Sequence, residues 1–89
     1  MQITDIKIRR LTSEPKMRAI VSVTFDNALV IHDIKVIAGN DKLFLAMPSR
    51  RLANGNFADI AHPTGASLRN ELETQVLDAY RRAESSLNS

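Results

Sequence analysis

Leu43–Pro63, LFLAMPSRRLANGNFADIAHP, is the stretch on which the reading of this chain turns. Leu43, Leu45 and Met47 alternate with Phe44 and Ala46, so both faces of the segment are apolar, as in a strand covered on two sides. Pro48 has no N–H for a neighbouring strand, so it ends that pairing or marks an edge or bulge. Asn54-Gly55 suits the positive φ angles of a tight hairpin turn, which returns Phe57–Ile60 as the partner strand. Ser49, Arg50 and Arg51 then lie where the chain leaves regular pairing. Two adjacent guanidiniums repel each other, so the pair points into water or at an anion. The residues before this stretch read as strands, and those after His62-Pro63 read as one helix.

Working back toward the N-terminus, Ile3–Leu11 is a strand with Ile6 and Ile8 on one side and Lys7 and Arg9 on the other. Thr12–Lys16 is a polar turn. Met17, Ala19, Val21, Val23 and Phe25 share a face, while Arg18, Ser22 and Thr24 take the opposite one, interrupted by Ile20. One half-solvated face suits an antiparallel sheet. Asp26-Asn27 is hairpin chemistry, and Leu29–Ala38, β-branched on both faces, reads as a central strand. Gly39-Asn40-Asp41 turns the chain into the Leu43 strand. Strands at roughly ten-residue spacing with short turns describe a meander.

Working forward, Pro63 disfavours helical conformation at His62, and Thr64 or Ser67 can cap the first N–H groups. Leu68, Leu72, Val76, Ala79, Tyr80, Ala83 and Leu87 recur at three- and four-residue steps and mark one apolar stripe that packs on the sheet. Arg69, Glu73, Arg81 and Arg82 fall largely off it, and Asn88 and Ser89 are expected to fray. The expected fold is α+β: a four- or five-stranded antiparallel meander over about residues 2–61, with one helix over about 65–86 on one face.

Eighty-nine residues make a single domain, residues 1–89, with a core that buries only roughly 60–65% of the unfolded surface. So small a core favours an oligomer, here a homodimer joined through sheet edges. The absence of cysteine excludes disulfides and thiol chemistry and fits a reducing cytosol. No apolar run reaches membrane-spanning length and no signal-peptide pattern comes after Met1, so a cytoplasmic protein is expected. Net charge is only +2, but it is unevenly spread: residues 1–51 carry +4 and residues 52–89 carry −2.

The constellations that enzymes need are missing. His32-Asp33, Asp59 and His62 have no metal-ligand spacing, and alternation along a strand sends His32 and Asp33 to opposite faces. Ser49 has no base placed beside it, and Gly39, Gly55 and Gly65 are isolated turn glycines. No catalytic residue, metal or cofactor is expected. Nucleic-acid binding fares better, because it asks for cations that displace counterions from phosphates and for a protruding element that reaches bases. Arg50 and Arg51, Lys7 and Arg9, and Arg69 on the helix supply the cations. Stacking is poorly provided, since Phe25, Phe44 and Phe57 read as buried and Tyr80 lies on the apolar stripe. A single helix also leaves no helix-turn-helix.

AMPSRR followed by NGNFADIAHP resembles the signature of the SpoVG family, stage V sporulation protein G, of bacteria. ITDIKIRR, MRAIVSVTFDNALVIHDIKVI and GNDKLFLAMPSRR resemble the same family in the same order, so that the likeness runs from about Met1 to Arg82. The resemblance implies a dimeric regulator that binds DNA and/or RNA and is linked to septation and sporulation. It adds Arg10 of the IKIRR block and Arg18 of MRAI to Arg50, Arg51, Lys7 and Arg9 as candidate nucleic-acid contacts. The competing expectation is a non-enzymatic interaction module that acts in septum formation through protein contacts alone.

Overall fold

The computed structural model describes residues 1–88, with side chains described through residue 86. The expectations for Leu87 on the helix stripe and for fraying at Ser89 lie outside those described side chains and residues, whereas Asn88, expected to fray, is still helical. The strands are β1 (Ile3–Leu11), β2 (Met17–Phe25), β3 (Leu29–Ala38), β4 (Leu43–Ala46), β5 (Ser49–Arg51) and β6 (Phe57–Asp59), followed by the helix α1 (Ala66–Asn88). The first four form one antiparallel meander in the order β1-β2-β3-β4. β5 and β6 pair only with each other, as a separate antiparallel hairpin. The α+β meander with one C-terminal helix is therefore the fold.

Alternation sets the core. Ala19, Val21, Val23 and Phe25 of β2 and Ile34 and Val36 of β3 are buried against Leu72, Val76, Leu77 and Tyr80 of α1. Ile6, Ile8 and Leu11 of β1 and Leu43 and Leu45 of β4 close the sides. Leu77 belongs to this core although it falls outside the expected stripe, so the buried face of the helix is wider than the stripe alone. The helix opens with the Arg69 N–H bonded to the Gly65 carbonyl at 3.2 Å, and Gly65 takes the capping position expected of Thr64 or Ser67.

The turns differ in type. Asp26 and Asn27 both adopt positive φ, 52° and 51°, as the centre of a primed turn that the Ala28 N–H closes on the Phe25 carbonyl at 2.9 Å; Ala28 adds a third residue before Leu29 pairs with Phe25. The second hairpin is built differently. Gly55 alone is at positive φ (89°), the Gly55 N–H bonds to the Leu52 carbonyl, and the Leu52 N–H bonds to the Asn56 carbonyl. This is a three-residue loop, Ala53–Gly55, rather than the tight Asn-Gly turn expected. The Asn54 side chain steadies it by accepting the Asn56 N–H at 3.0 Å.

Pro48 does what its missing N–H dictates. β4 pairs with β3 only from Lys35 to Ala38, and the chain then leaves the sheet for the hairpin, whose base is closed by the Ile60 N–H on the Pro48 carbonyl at 2.7 Å. Two expectations are corrected here. β4 is an edge strand covered on one face only, so Phe44 stays 39% exposed; and β3 is central only in its C-terminal half, because Leu29–Ile34 has no strand on its outer side. Phe57 is likewise not buried. It sits on the separate hairpin and is 70% exposed, because no layer covers those three-residue strands.

Candidate nucleic-acid interface

Four irregularities in strand register occur in the sheet, at Thr4, Arg9, Arg18 and Ser22, and those at Arg9 and Ser22 arrange the basic part of the face opposite the helix. Ile8 pairs with Val21 but Arg10 with Ile20, so Arg9 is an extra residue in β1. Val21 pairs with Ile34 but Val23 with Ile31, so two residues of β3, His32 and Asp33, stand opposite Ser22 alone. Asp33 takes up the strain at a φ of 63°. The second bulge overturns the expectation that His32 and Asp33 point to opposite faces. Ile31 and Ile34 both pack toward the core, and both residues between them are turned away from it.

The first bulge does the same for arginine. Ile8 and Leu11 face the core, which leaves Arg9 and Arg10 together on the open face, beside Lys7 in register with Ser22. Arg9 lies flat across the strands and donates from Nε to Ser22 Oγ at 3.1 Å. Ser22 Oγ is 2.8 Å from His32 Nδ1, and with the imidazole neutral and protonated at Nε2 the hydroxyl donates to Nδ1. These two side chains close over Ser22, which is 4% exposed although it lies on the open face. Among the described residues the terminal amino groups of Arg9 have no partner, so the guanidinium is held down with its outer edge free.

Register brings in one more cation. Ile20 pairs with Arg10 on one side and Lys35 on the other, so Lys35 shares the open face with Lys7, Arg9 and Arg10. Lys35 was not among the expected contacts. Alternation from the core residues Ile34 and Val36 is the signal that finds it.

The remaining candidates do not join this group. Arg50 and Arg51 are exposed on β5, and their alternation sends them to opposite faces of the hairpin. Arg18 does not share a face with Ser22 and Thr24 as expected: it is an extra residue of β2 between Met17, paired with Ile37, and Ala19, paired with Val36, and it donates from Nε to the Pro15 carbonyl at 3.2 Å while its guanidinium reaches Tyr80, on the helix side. Burial pushes the Tyr80 pKa up, as does Glu84, whose carboxylate accepts the phenol at 2.8 Å; Arg18 acts in the opposite sense. Arg69 bends back at the start of α1 and donates to the Pro63 carbonyl at 3.2 Å. The seven candidates thus occupy three places: the open sheet face (Lys7, Arg9, Arg10), the hairpin (Arg50, Arg51) and the helix side (Arg18, Arg69).

Among the described residues no group of three or more His, Asp and Glu side chains is gathered as a metal site would require, and no helix is long and apolar enough to cross a membrane. An apolar cleft of about 260 Å³ opens at the end of the core, between Phe25, Leu29 and Ile31 of the sheet and Leu68 and Leu72 of the helix.

Comparison with known proteins bears on the whole of this architecture. The SpoVG family model matches residues 1–82. A protein of Clostridioides difficile (strain 630) named "Putative septation protein SpoVG" is 59% identical over 83 residues, covering 93% of this chain and 90% of that relative. A Clostridium beijerinckii protein of the same name is 56% identical over 85 residues, 96% of this chain and 93% of the relative. One from Thermoanaerobacter sp. (strain X514) is 54% identical over 84 residues, 94% and 91% of the two chains. A match that takes in every strand and most of the helix, at more than half identical residues, is too extensive for a shared motif alone: the chain belongs to the SpoVG family.

Proposed function

We propose that this protein is a cytoplasmic regulator that binds DNA and/or RNA through its basic surfaces, acts as a homodimer and serves septation and sporulation. The observation that carries the proposal is the set of four cations, Lys7, Arg9, Arg10 and Lys35, against two acids, Asp5 and Asp33, on the sheet face that the helix leaves bare. Cations on a flat face release counterions from a phosphate backbone, a sequence-independent source of affinity. The hairpin with Arg50 and Arg51 takes no part in that sheet and serves as the element able to leave the backbone and meet bases.

Retention on immobilised DNA and RNA across a salt series tests this directly. The logarithm of affinity is expected to fall linearly with the logarithm of salt. The combined Lys7→Ala and Arg10→Ala variant is expected to reduce the slope by ~0.9 per lost contact on duplex DNA. Arg9 is left in place because it covers Ser22. A folded protein with no salt-dependent retention would overturn the proposal in favour of a module that acts in septation through protein contacts.

The dimer rests on the open edge of β3. From Leu29 to Ile34 no strand pairs on its outer side, where only Pro48, Ile60 and Ala61 lie near, and Leu29 and Val30 are exposed. An apolar, unpaired edge is a template for a second strand, and a second copy related by a two-fold axis satisfies both edges at once. Light scattering at micromolar concentration is expected to return twice the 9.9 kDa chain mass. Val30→Lys, which places a charge on that edge, is expected to return the single-chain mass with the fold intact.

A further inference from the structure

Among the described residues Phe57 is the most exposed large apolar side chain. It opens the three-residue strand β6, is 70% exposed and takes no part in the core. Its cross-strand partner is Arg51. Residues directly opposite in an antiparallel pair project from the same face with Cβ atoms about 4.5–5.5 Å apart, so a guanidinium and an open aromatic ring share one side of the hairpin. Neither Arg51 nor Arg50 makes an ion pair or side-chain hydrogen bond among the described residues. The nearest acid on that face is Asp59, one step toward the base and opposite Ser49, which leaves the tip side of the pair cationic.

The platform is also steadied before any ligand arrives. The Leu52 N–H on the Asn56 carbonyl closes the loop at 2.7 Å, the Asn54 side chain braces it, and the Ile60 N–H on the Pro48 carbonyl closes the base. Little backbone entropy remains to be lost on binding.

We infer that Phe57 and Arg51 form a stacking step for an unpaired base of single-stranded nucleic acid, the ring taking the base and the guanidinium the adjoining phosphate. The inference rests on the nucleic-acid reading above and narrows it to a strand class. In a duplex each base is covered by its neighbours and offers no face to a ring, whereas a single strand can splay one out. Every base has a π-face, so the step accepts any sequence and adds affinity without reading letters. Phosphate contact alone would need Arg51 and leave Phe57 without a purpose.

The test compares single-stranded and duplex oligonucleotides by fluorescence anisotropy with wild type, Phe57→Ala and Phe57→Trp. Phe57→Ala is expected to weaken single-strand binding by ~5- to 150-fold, the range that loss of one base–aromatic stack implies. Its salt slope and its duplex affinity are expected to stay at the wild-type level, because no cation is removed. The chain has no tryptophan, so Phe57→Trp introduces a lone reporter. Its emission is expected to be quenched by single-stranded oligonucleotide at the concentrations where anisotropy saturates, with affinity retained. Unchanged single-strand affinity in Phe57→Ala would overturn the inference and leave the broader reading intact. So would a change of Phe57→Ala from dimer to monomer in light scattering, which assigns the ring to a second copy of the chain. A wild-type protein that binds neither form at low salt would overturn both.

Discussion

Leu72→Ala is expected to cost ~2–5 kcal/mol of stability, the largest effect of any single truncation considered for this protein. Leu72 is 2% exposed and lies in the cluster where the helix meets Val21, Val23 and Ile34. Removing its isobutyl group loses the transfer free energy and leaves a void that the sheet, held in register by three strand pairings, closes poorly. For a chain of this size each kcal/mol moves Tm by roughly 4–8 °C, so a fall of ~8 °C or more is expected. Net stability of small domains is itself only ~5–15 kcal/mol, and the variant approaches that limit. Arg81→Ala on the exposed side of the same helix is the comparison, expected within ~0.5 kcal/mol of wild type. Equal melting temperatures in calorimetry or circular dichroism would contradict the face assignment. The exposed Arg82–Asp78 pair, 3.1 Å apart one turn away, contributes only a few tenths of a kcal/mol and does not alter the comparison.

The double variant Arg50→Ala and Arg51→Ala carries the largest expected effect on binding. Both side chains are exposed on β5, so the fold and the dimer are expected to survive. If both touch phosphate, the log–log salt slope shrinks by ~1.8 on duplex DNA and ~1.4 on a single strand, from about 0.9 and 0.7 per contact. Sequence preference survives that loss, because phosphate contacts position a protein without reading bases. An arginine paired with guanine would instead relax preference along with affinity. The single variants divide the effect. Arg51 shares its hairpin face with Phe57, whereas Arg50 shares the other with Ala58, so additive losses mean that nucleic acid lies along both sides of the hairpin. Lys16→Ala, in the turn between β1 and β2, is expected to change little. A folded, dimeric double variant with unchanged affinity and slope would move the weight to Lys7, Arg9, Arg10 and Lys35, or to protein contacts alone.

What the linear order of residues determined by itself is nearly all local. The strands Ile3–Leu11, Met17–Phe25 and Leu29–Ala38 and the helix after Pro63 come from two- and 3.6-residue periodicities; the turns come from Asp26-Asn27 and Gly39-Asn40-Asp41; the break comes from Pro48. These are properties of a few neighbouring residues and their backbone sterics, so they can be read without knowing what lies beside them. The family, too, was legible in the order of its blocks. Tertiary structure alone decided the rest, because burial and shared faces depend on what another segment covers. Apolar alternation in Leu43–Met47 said that two faces were available, but the helix took only one, and Phe44 stayed exposed. Phe57 looked like core until the hairpin stood apart from the sheet. One extra residue at Arg9 and one at His32-Asp33 shifted the phase of alternation, placing Arg10 beside Arg9 and turning His32 and Asp33 the same way. A bulge is fixed by the pairing partner; Asp33 suits the left-handed φ it adopts, but an aspartate in a strand does not by itself announce one. That is why the joining of Arg10 to Lys7 and Arg9, and the departure of Arg18 to the helix side, could be seen only once the strands were in register.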